Sequence, residues 1–380
     1  MDFELSEKHK ALQARVRAYC ERELAPNSER WDREEKFPWE AVEGLKREGL
    51  LGIPFPKEYG GSALDAVSLC LILEELGRVD PAIALTVESH NGLCSNHIFI
   101  AGSEAQKKKY LPRLTSGEAL GAWALTEPSA GSDANSLKTT AVRRNGGWVI
   151  NGTKTFTTQG SVAGIYLLFA QTGKGLSAFV VEKGTPGLSV GKIEHKMGLR
   201  HSDTAQLDFH DMKVGEDQLV GRQDKAFYDA MKVLDAGRVA ISGISVGIAH
   251  ASVAHGTAWV KARLAEFGVG EGPGLTGAQK LLADLATEVE AARLLMFRAA
   301  ALMDAGKPFS REASMAKLFS GDLAMKAPTM ILDLMGPAGA LLDNPVQRLF
   351  RDAKLYQIGE GSSQIQELII SRQMLELGKK

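Results

Sequence analysis

The chain has 380 residues, with 45 Lys plus Arg against 46 Asp plus Glu and a formal charge of −1. That length exceeds one small core and implies two or three domains, while the charge balance lacks the basic excess of nucleic-acid binders. A composition 44% hydrophobic and 24% charged supports a buried core, and the absence of a run of about 18 uncharged apolar residues excludes an obvious membrane span.

Taken in chain order, the elements change character twice. From Ser6 to about Gly117 the pattern is helical. Ser6 is placed to cap a helix with Leu12, Val16, Tyr19 and Cys20 on one face, ending before Pro26. Asp65 opens a second helix with Leu69, Ile72, Leu73 and Leu76 on its stripe and Gly77 as its stop, and Ser103 to Gln106 spells a capping box. From about Gly121 to Gly221 the period falls toward two. Trp148 to Ile150 and Thr153 to Phe156 flank Asn151-Gly152, which reads as a hairpin turn. Further strands are expected at Ile165–Ala170, Leu176–Val181 and Ala205–Phe209. After Phe227 long Ala-rich helices return, over 236–265, 275–305 and 310–335, and such helices pack as bundles. The expected domains are therefore 1–120 (helical), 121–226 (β-barrel or sandwich) and 227–380 (helical). No strand–helix alternation of a doubly wound enzyme runs through the chain.

Several chemistries drop out. There is no G-x-G-x-x-G after a strand and no Walker A loop. Two G-x-S-x-G strings, around Ser189 and Ser245, lack the strand-to-helix turn and the later acid and His of an esterase. The eight histidines make no metal pair, and Cys20, Cys70 and Cys94 lack Cys-x-x-Cys spacing, so neither a metal site nor a disulfide framework is expected. The start, Met1 to Glu7, is acidic and resembles neither a signal nor a transit peptide. The expectation is a soluble, cytoplasmic protein.

Three segments carry chemistry. Trp123 to Asp133 leaves a strand into a Gly/Ser/Pro loop that offers N–H groups and hydroxyls to a heterocycle or phosphate, although an ordinary turn has the same spelling. Asn151 to Gly160 sets Phe156 beside Thr157 and Thr158. Arg351 to Gln366 places Glu360 between two glycines ahead of a helix with Ile365, Leu368, Ile369 and Met374 on one face.

Together with Lys196–Thr204 and Leu234–Arg238, these segments resemble the acyl-CoA dehydrogenase family of flavoproteins over essentially the whole chain. The resemblance implies a mostly α fold with a central β domain: a helical N-terminal domain, a β-barrel and a C-terminal four-helix bundle, assembled as a homotetramer. It implies FAD as cofactor, an acyl-CoA substrate from fatty acid or amino acid catabolism, and an electron-transfer flavoprotein as acceptor, with no nucleic acid. Trp123, Leu125, Thr126 and Ser132 match the stretch along the flavin, and Ser132 also the thioester arm. Phe156, Thr157 and Thr158 match the aromatic-x-Thr flavin contact. Arg263 matches an Arg reaching the FAD of a neighbouring subunit, and Ser362 with Gln364 match further FAD contacts. Asp235, Arg238 and Gly361 fall beside the substrate, and Glu360 falls where many members carry the base that takes the α-proton while flavin accepts the β-hydride, giving a 2,3-enoyl-CoA.

Three departures qualify that pattern. Gly359 stands where many members have Tyr. Members with Gly there usually carry the base before the motif Arg, which here is Gly237, leaving Glu360 as the candidate. The segment 268–274 is longer and Gly-rich, with Thr276 for a usual Gln and Asp333 for another, which puts the adenosine end of the FAD site in question. A flavin oxidase or monooxygenase, or a non-catalytic member of the fold, is the alternative reading. Glu360, Asp235 and Arg238 argue for dehydrogenation.

Overall fold

The computed structural model describes residues 4–270 and 274–377. Positions 1–3 of the acidic start, 271–273 in the middle of the Gly-rich linker, and 378–380 lie outside the described residues.

The first helices form where the chain supplies caps. α1 (Glu7–Tyr19) begins at Ser6, whose hydroxyl accepts the His9 N–H, and buries Leu12, Val16 and Tyr19. After α2 (Ser28–Glu34) and α3 (Trp39–Arg47), Asp65 caps α4 (Ala66–Val79). Gly77 is not the stop expected of it. The helix runs on to Val79, and the glycine serves close approach, since a Cβ at position 77 would sit 2.7 Å from the Ile244 carbonyl oxygen. Asp80 ends α4 and caps α5 (Pro81–Glu88), which passes through a wide helical turn (Ser89–Ser95) into α6 (Asn96–Ala101). The capping box at Ser103 opens α7 (Glu104–Thr115).

Eight strands follow: β1 (Gly121–Ala124), β2 (Thr140–Arg144), β3 (Gly147–Thr158), β4 (Ile165–Gln171), β5 (Leu176–Glu182), β6 (Leu188–Ile193), β7 (Thr204–Gly215) and β8 (Leu219–Val220). They form one sheet in the order β6-β7-β3-β2-β4-β5-β8, with β1 parallel to β4. The hairpin turn is Asn145-Gly146, with φ of 49° and 78°, because a two-residue loop between right-twisted strands needs two left-handed residues. Asn151-Gly152 does not turn. It lies inside β3 at a register shift against β7, where Asn151 exchanges hydrogen bonds with Asp211.

The remaining helices are α8 (Ala226–Lys261), α9 (Gly277–Asp304), α10 (Ser310–Met335), α11 (Pro345–Ile358) and α12 (Ser363–Met374). Among the described residues α8 is long and apolar enough to cross a membrane by length and composition, but 78% of its most apolar window is buried inside the molecule. It packs against α4, α9 and α10. The face of α12 that carries Leu368 and Met374 stays 40% and 66% exposed at those residues.

Candidate active site

β1 delivers the buried Trp123 and ends at the loop carrying Leu125 and Thr126. The end of β3 is bonded to that loop. Thr155 N–H donates to Thr126 O at 2.9 Å, and Lys154 Nζ donates to Leu125 O at 2.9 Å and to Glu127 Oε1 at 2.8 Å. Glu127 also accepts the N–H groups of Lys138 and Thr139 at 2.6 and 3.0 Å. Burial brings Lys154 down to about 8. Burial alone would raise Glu127, but the Lys154 ammonium and the Lys138 N–H outweigh it and hold the carboxyl below its usual range. A buried ion pair thus fixes two distant sequence segments as one floor.

On that floor Phe156 lies in an irregularity of the β3–β7 pairing, at φ 52° and 64% exposed. A left-handed aromatic residue is uncommon and costs on the order of 1 kcal/mol. Next to it the Thr157 hydroxyl is buried with no hydrogen-bond partner among the described residues. An uncovered ring beside an orphaned hydroxyl is completed by a flat, hydrogen-bonding heterocycle, so these residues fit a flavin. Thr158 is half-buried at the strand end, and Ser132 is exposed at the end of the loop.

Glu360 occupies the turn between α11 and α12 at φ 55°, followed by Gly361 at φ 95°. Its two carboxylate oxygens are sealed from solvent, with no donor hydrogen-bonded to them among the described residues. Around it, Lys317 Nζ donates to Gly361 O at 2.7 Å, and Arg238 Nη1 donates to Asp235 Oδ1 at 2.5 Å, an oxygen that also receives the Ser310 hydroxyl at 3.0 Å. Burial draws Lys317 down to about 8 and lowers Arg238, with the Glu360 charge opposing both. Burial raises Glu360, and Glu88, Lys317 and Arg238 pull it back. A desolvated carboxylate of raised pKa is suited to take a proton near neutral pH. Gly237 leaves the space open, since a Cβ there would collide with Glu360 Oε2. The two positions at which the sequence pattern allows a base therefore converge in space.

The flavin floor and Glu360 share a wall. Gln159, one residue past β3, donates through Nε2 to Thr86 O of α5 at 2.8 Å, and α5 ends in Glu88, whose carboxyl meets Glu360. Arg238, with Asp235 bound to it, lies beside Glu360, and Gly361 is its chain neighbour. Ser362 heads α12 half-buried and Gln364 is exposed. Arg263 does not join them. It follows α8, whose rise of about 1.5 Å per residue sets it about 35 Å from Arg238, and its guanidinium stacks on Trp259 at 3.5 Å. Ser245 donates to Ile241 O inside α8, with no nucleophile turn.

Sequence reasoning missed Glu88, Lys317 and the pairing of Lys154 with Glu127. The signal for Glu88 was present: it is the one charged residue of Pro81–Glu88. Lys317 similarly is the one charge in the stretch 313–321.

A three-part helix–sheet–helix chain, with an exposed ring beside an unpaired hydroxyl on its sheet and a buried carboxylate linked to it through α5, fits a flavoprotein dehydrogenase. The chain belongs to the acyl-CoA dehydrogenase family: that family's N-terminal domain matches residues 6–118, its middle domain 122–212 and its C-terminal domain 225–375. It is 43% identical to an acyl-CoA dehydrogenase of Bacillus subtilis over 95% of this chain and 96% of that protein. Its fold is similar to butyryl-CoA dehydrogenase from Megasphaera elsdenii, with a TM-score of 0.93 and 36% identity over 99% and 100% of the two chains. A glutaryl-CoA dehydrogenase from Mycobacterium smegmatis in complex with FADH2 is similar too, with a TM-score of 0.92 and 27% identity over 98% and 95%.

Proposed function

We propose that this chain oxidises a short saturated acyl-CoA to its 2,3-enoyl-CoA, with Glu360 as the acceptor of the α-proton. The observation that carries the reading is the Glu360 carboxylate, desolvated and, among the described residues, not hydrogen-bonded by any lysine, arginine or backbone N–H. FAD, when bound, supplies the acceptor for the hydride leaving the β-carbon. The protein's part is positional and electrostatic. Leu125, Thr126 and Thr157 offer hydrogen bonds along the flavin edge, Trp123, Phe156 and Thr158 flank them, and Ser132 extends the line toward the thioester. The Glu360 N–H is the donor expected at the thioester carbonyl, where enolate charge develops as the α-proton leaves. Lys317 and Arg238 favour the ionised form of Glu360 against the effect of its burial, and Gly361 lets the thioester arm pass close to the backbone. Butyryl-CoA is the first substrate to try, because the Megasphaera relative acts on it.

Arg263 acts in this reading across a subunit boundary, and Ser362 with Gln364 supply further FAD contacts. The exposed faces of α12 and of Leu341 and Leu342 support a homotetramer, the cytoplasm is the proposed location, and an electron-transfer flavoprotein is the proposed acceptor. The test is anaerobic addition of a panel of acyl-CoAs to the FAD-loaded protein. Bleaching of the flavin with stoichiometric 2-enoyl-CoA supports the reading; a flavin that stays oxidised with every thioester overturns it.

A further inference from the structure

Glu88 is fully buried at the end of a helix that carries no other charge. No donor group among the described residues reaches either of its oxygens or those of Glu360, and the two carboxyls have each other as neighbours. The backbone makes room for both. Gly237 clears the space at Glu360 Oε2, and a Cβ at Gly92 would stand 2.5 Å from Glu88 Oε1. The charged surroundings are uneven. From α10 Lys317 and from α8 Arg238 act on Glu360, with Asp235 bound to Arg238. α11 contributes Tyr356, whose hydroxyl is committed to Pro81 O, and α5 begins at Asp80, which is paired with His201. Glu88 has no cation acting on it, only the Glu360 charge.

Two touching carboxylates buried from solvent cannot both be ionised, whereas an acid and a carboxylate form a strong O–H···O bond. The two cations act on Glu360, so the negative charge rests there and the proton stays on Glu88. We propose that Glu88 is a positioning residue for the base: as a neutral acid it donates a hydrogen bond to one oxygen of the Glu360 carboxylate and leaves the other oxygen for the substrate. This rests on Glu360 being the base. In the step it serves, the substrate's α C–H bond breaks, the proton forms an O–H bond on the free Glu360 oxygen, and the electron pair stays with the thioester enolate. The negative charge leaves the pair at that moment, so both carboxyls are neutral while the enolate exists.

The test uses the FAD-loaded protein without substrate. Infrared spectra should contain the carbonyl stretch of a protonated carboxyl at about pH 8, above Asp352 at about 6, and E88Q should lose that band. Absence of the band in the wild type, or its survival in E88Q, overturns the proposal. A second readout is the pH dependence of flavin reduction by butyryl-CoA. E88A removes the donor and should move the acid limb to higher pH by about one unit, the size of a single charge-assisted hydrogen bond. E88Q keeps an N–H donor and should hold the limb near its wild-type position. Superimposable profiles for wild type and E88A would also overturn it. If butyryl-CoA and other thioesters fail to bleach wild-type flavin, the dehydrogenase reading falls, and the infrared band still decides the state of the pair.

Discussion

Two buried carboxylates of this protein have opposite surroundings. Glu127, under the flavin floor, meets a lysine ammonium and two backbone N–H groups. Glu360, the proposed base, meets a second carboxyl and, among the described residues, no cationic or backbone donor bonded to its oxygens. The first arrangement satisfies a buried charge and spends it on rigidity. The second leaves a charge underserved, which costs stability and keeps a base available. Asp352 lies between them: one oxygen accepts the Leu199 N–H at 2.5 Å, and the other is buried with no hydrogen bond among the described residues, 3.9 Å from the Arg348 guanidinium.

Substitutions should separate the cases, beginning with the largest effect. Glu360→Gln keeps the volume and removes the proton acceptor, so flavin reduction by butyryl-CoA should fall about a hundred- to ten-thousand-fold while bound FAD and the melting temperature stay near wild type. Stopped-flow absorbance and a thermal melt measure both. Lys154→Met should do the reverse. Stranding Glu127 without its cation should cost about 3–5 kcal/mol of stability and release FAD, and the double variant Lys154→Met/Glu127→Gln should recover much of it in urea unfolding. A melt unchanged by Lys154→Met would mean that the pair does not hold the floor.

Asp352 gives a pH-dependent case. Burial raises its carboxyl to about 6, against the opposing pull of Arg348 and the Leu199 N–H. The folded chain therefore holds this proton more tightly than the unfolded chain does. The stability it contributes is complete below about pH 4 and is lost as pH rises through about 6, by up to about 3 kcal/mol. Asp352→Asn should remove that component from the difference in urea stability between about pH 4 and pH 7. Equal pH dependence in the two proteins would show that Asp352 ionises in the fold as readily as in the open chain. The smallest effect is expected at Gly237→Ala. The new methyl displaces the flexible end of Glu360 rather than backbone, so activity should drop about tenfold with little change in melting temperature. Wild-type turnover in that variant would place the working position of the carboxylate elsewhere.

The parts legible in the sequence were those set by local chemistry. Caps at Ser6, Asp65 and Ser103, the strands at 165–170 and 176–181, and the sequence of helical, β and helical regions follow from short-range spacing. Loop and turn positions were less legible because tertiary pairing chose among equivalent signals: two Asn-Gly-type steps compete in 145–152, and the bulge against β7 claims the second. Gly77 reads as a helix stop in sequence and acts as a contact point for α8, a partner nearly 170 positions away. The candidate flavin-side and base residues stood out in the sequence as motifs. Glu88 was not, because its meaning depends on Glu360, 272 residues later, and on two glycines that make space for both.

The account turns on Glu360 taking a proton from the α-carbon. The direct measurement is anaerobic single-turnover flavin reduction of the wild type and Glu360→Gln, with butyryl-CoA and with the same thioester deuterated at C2. The wild type should bleach, more slowly with the deuterated substrate, and the variant should retain oxidised flavin on that timescale. Bleaching of Glu360→Gln at the wild-type rate, with an undiminished isotope effect, would contradict the assignment and place the base on another residue.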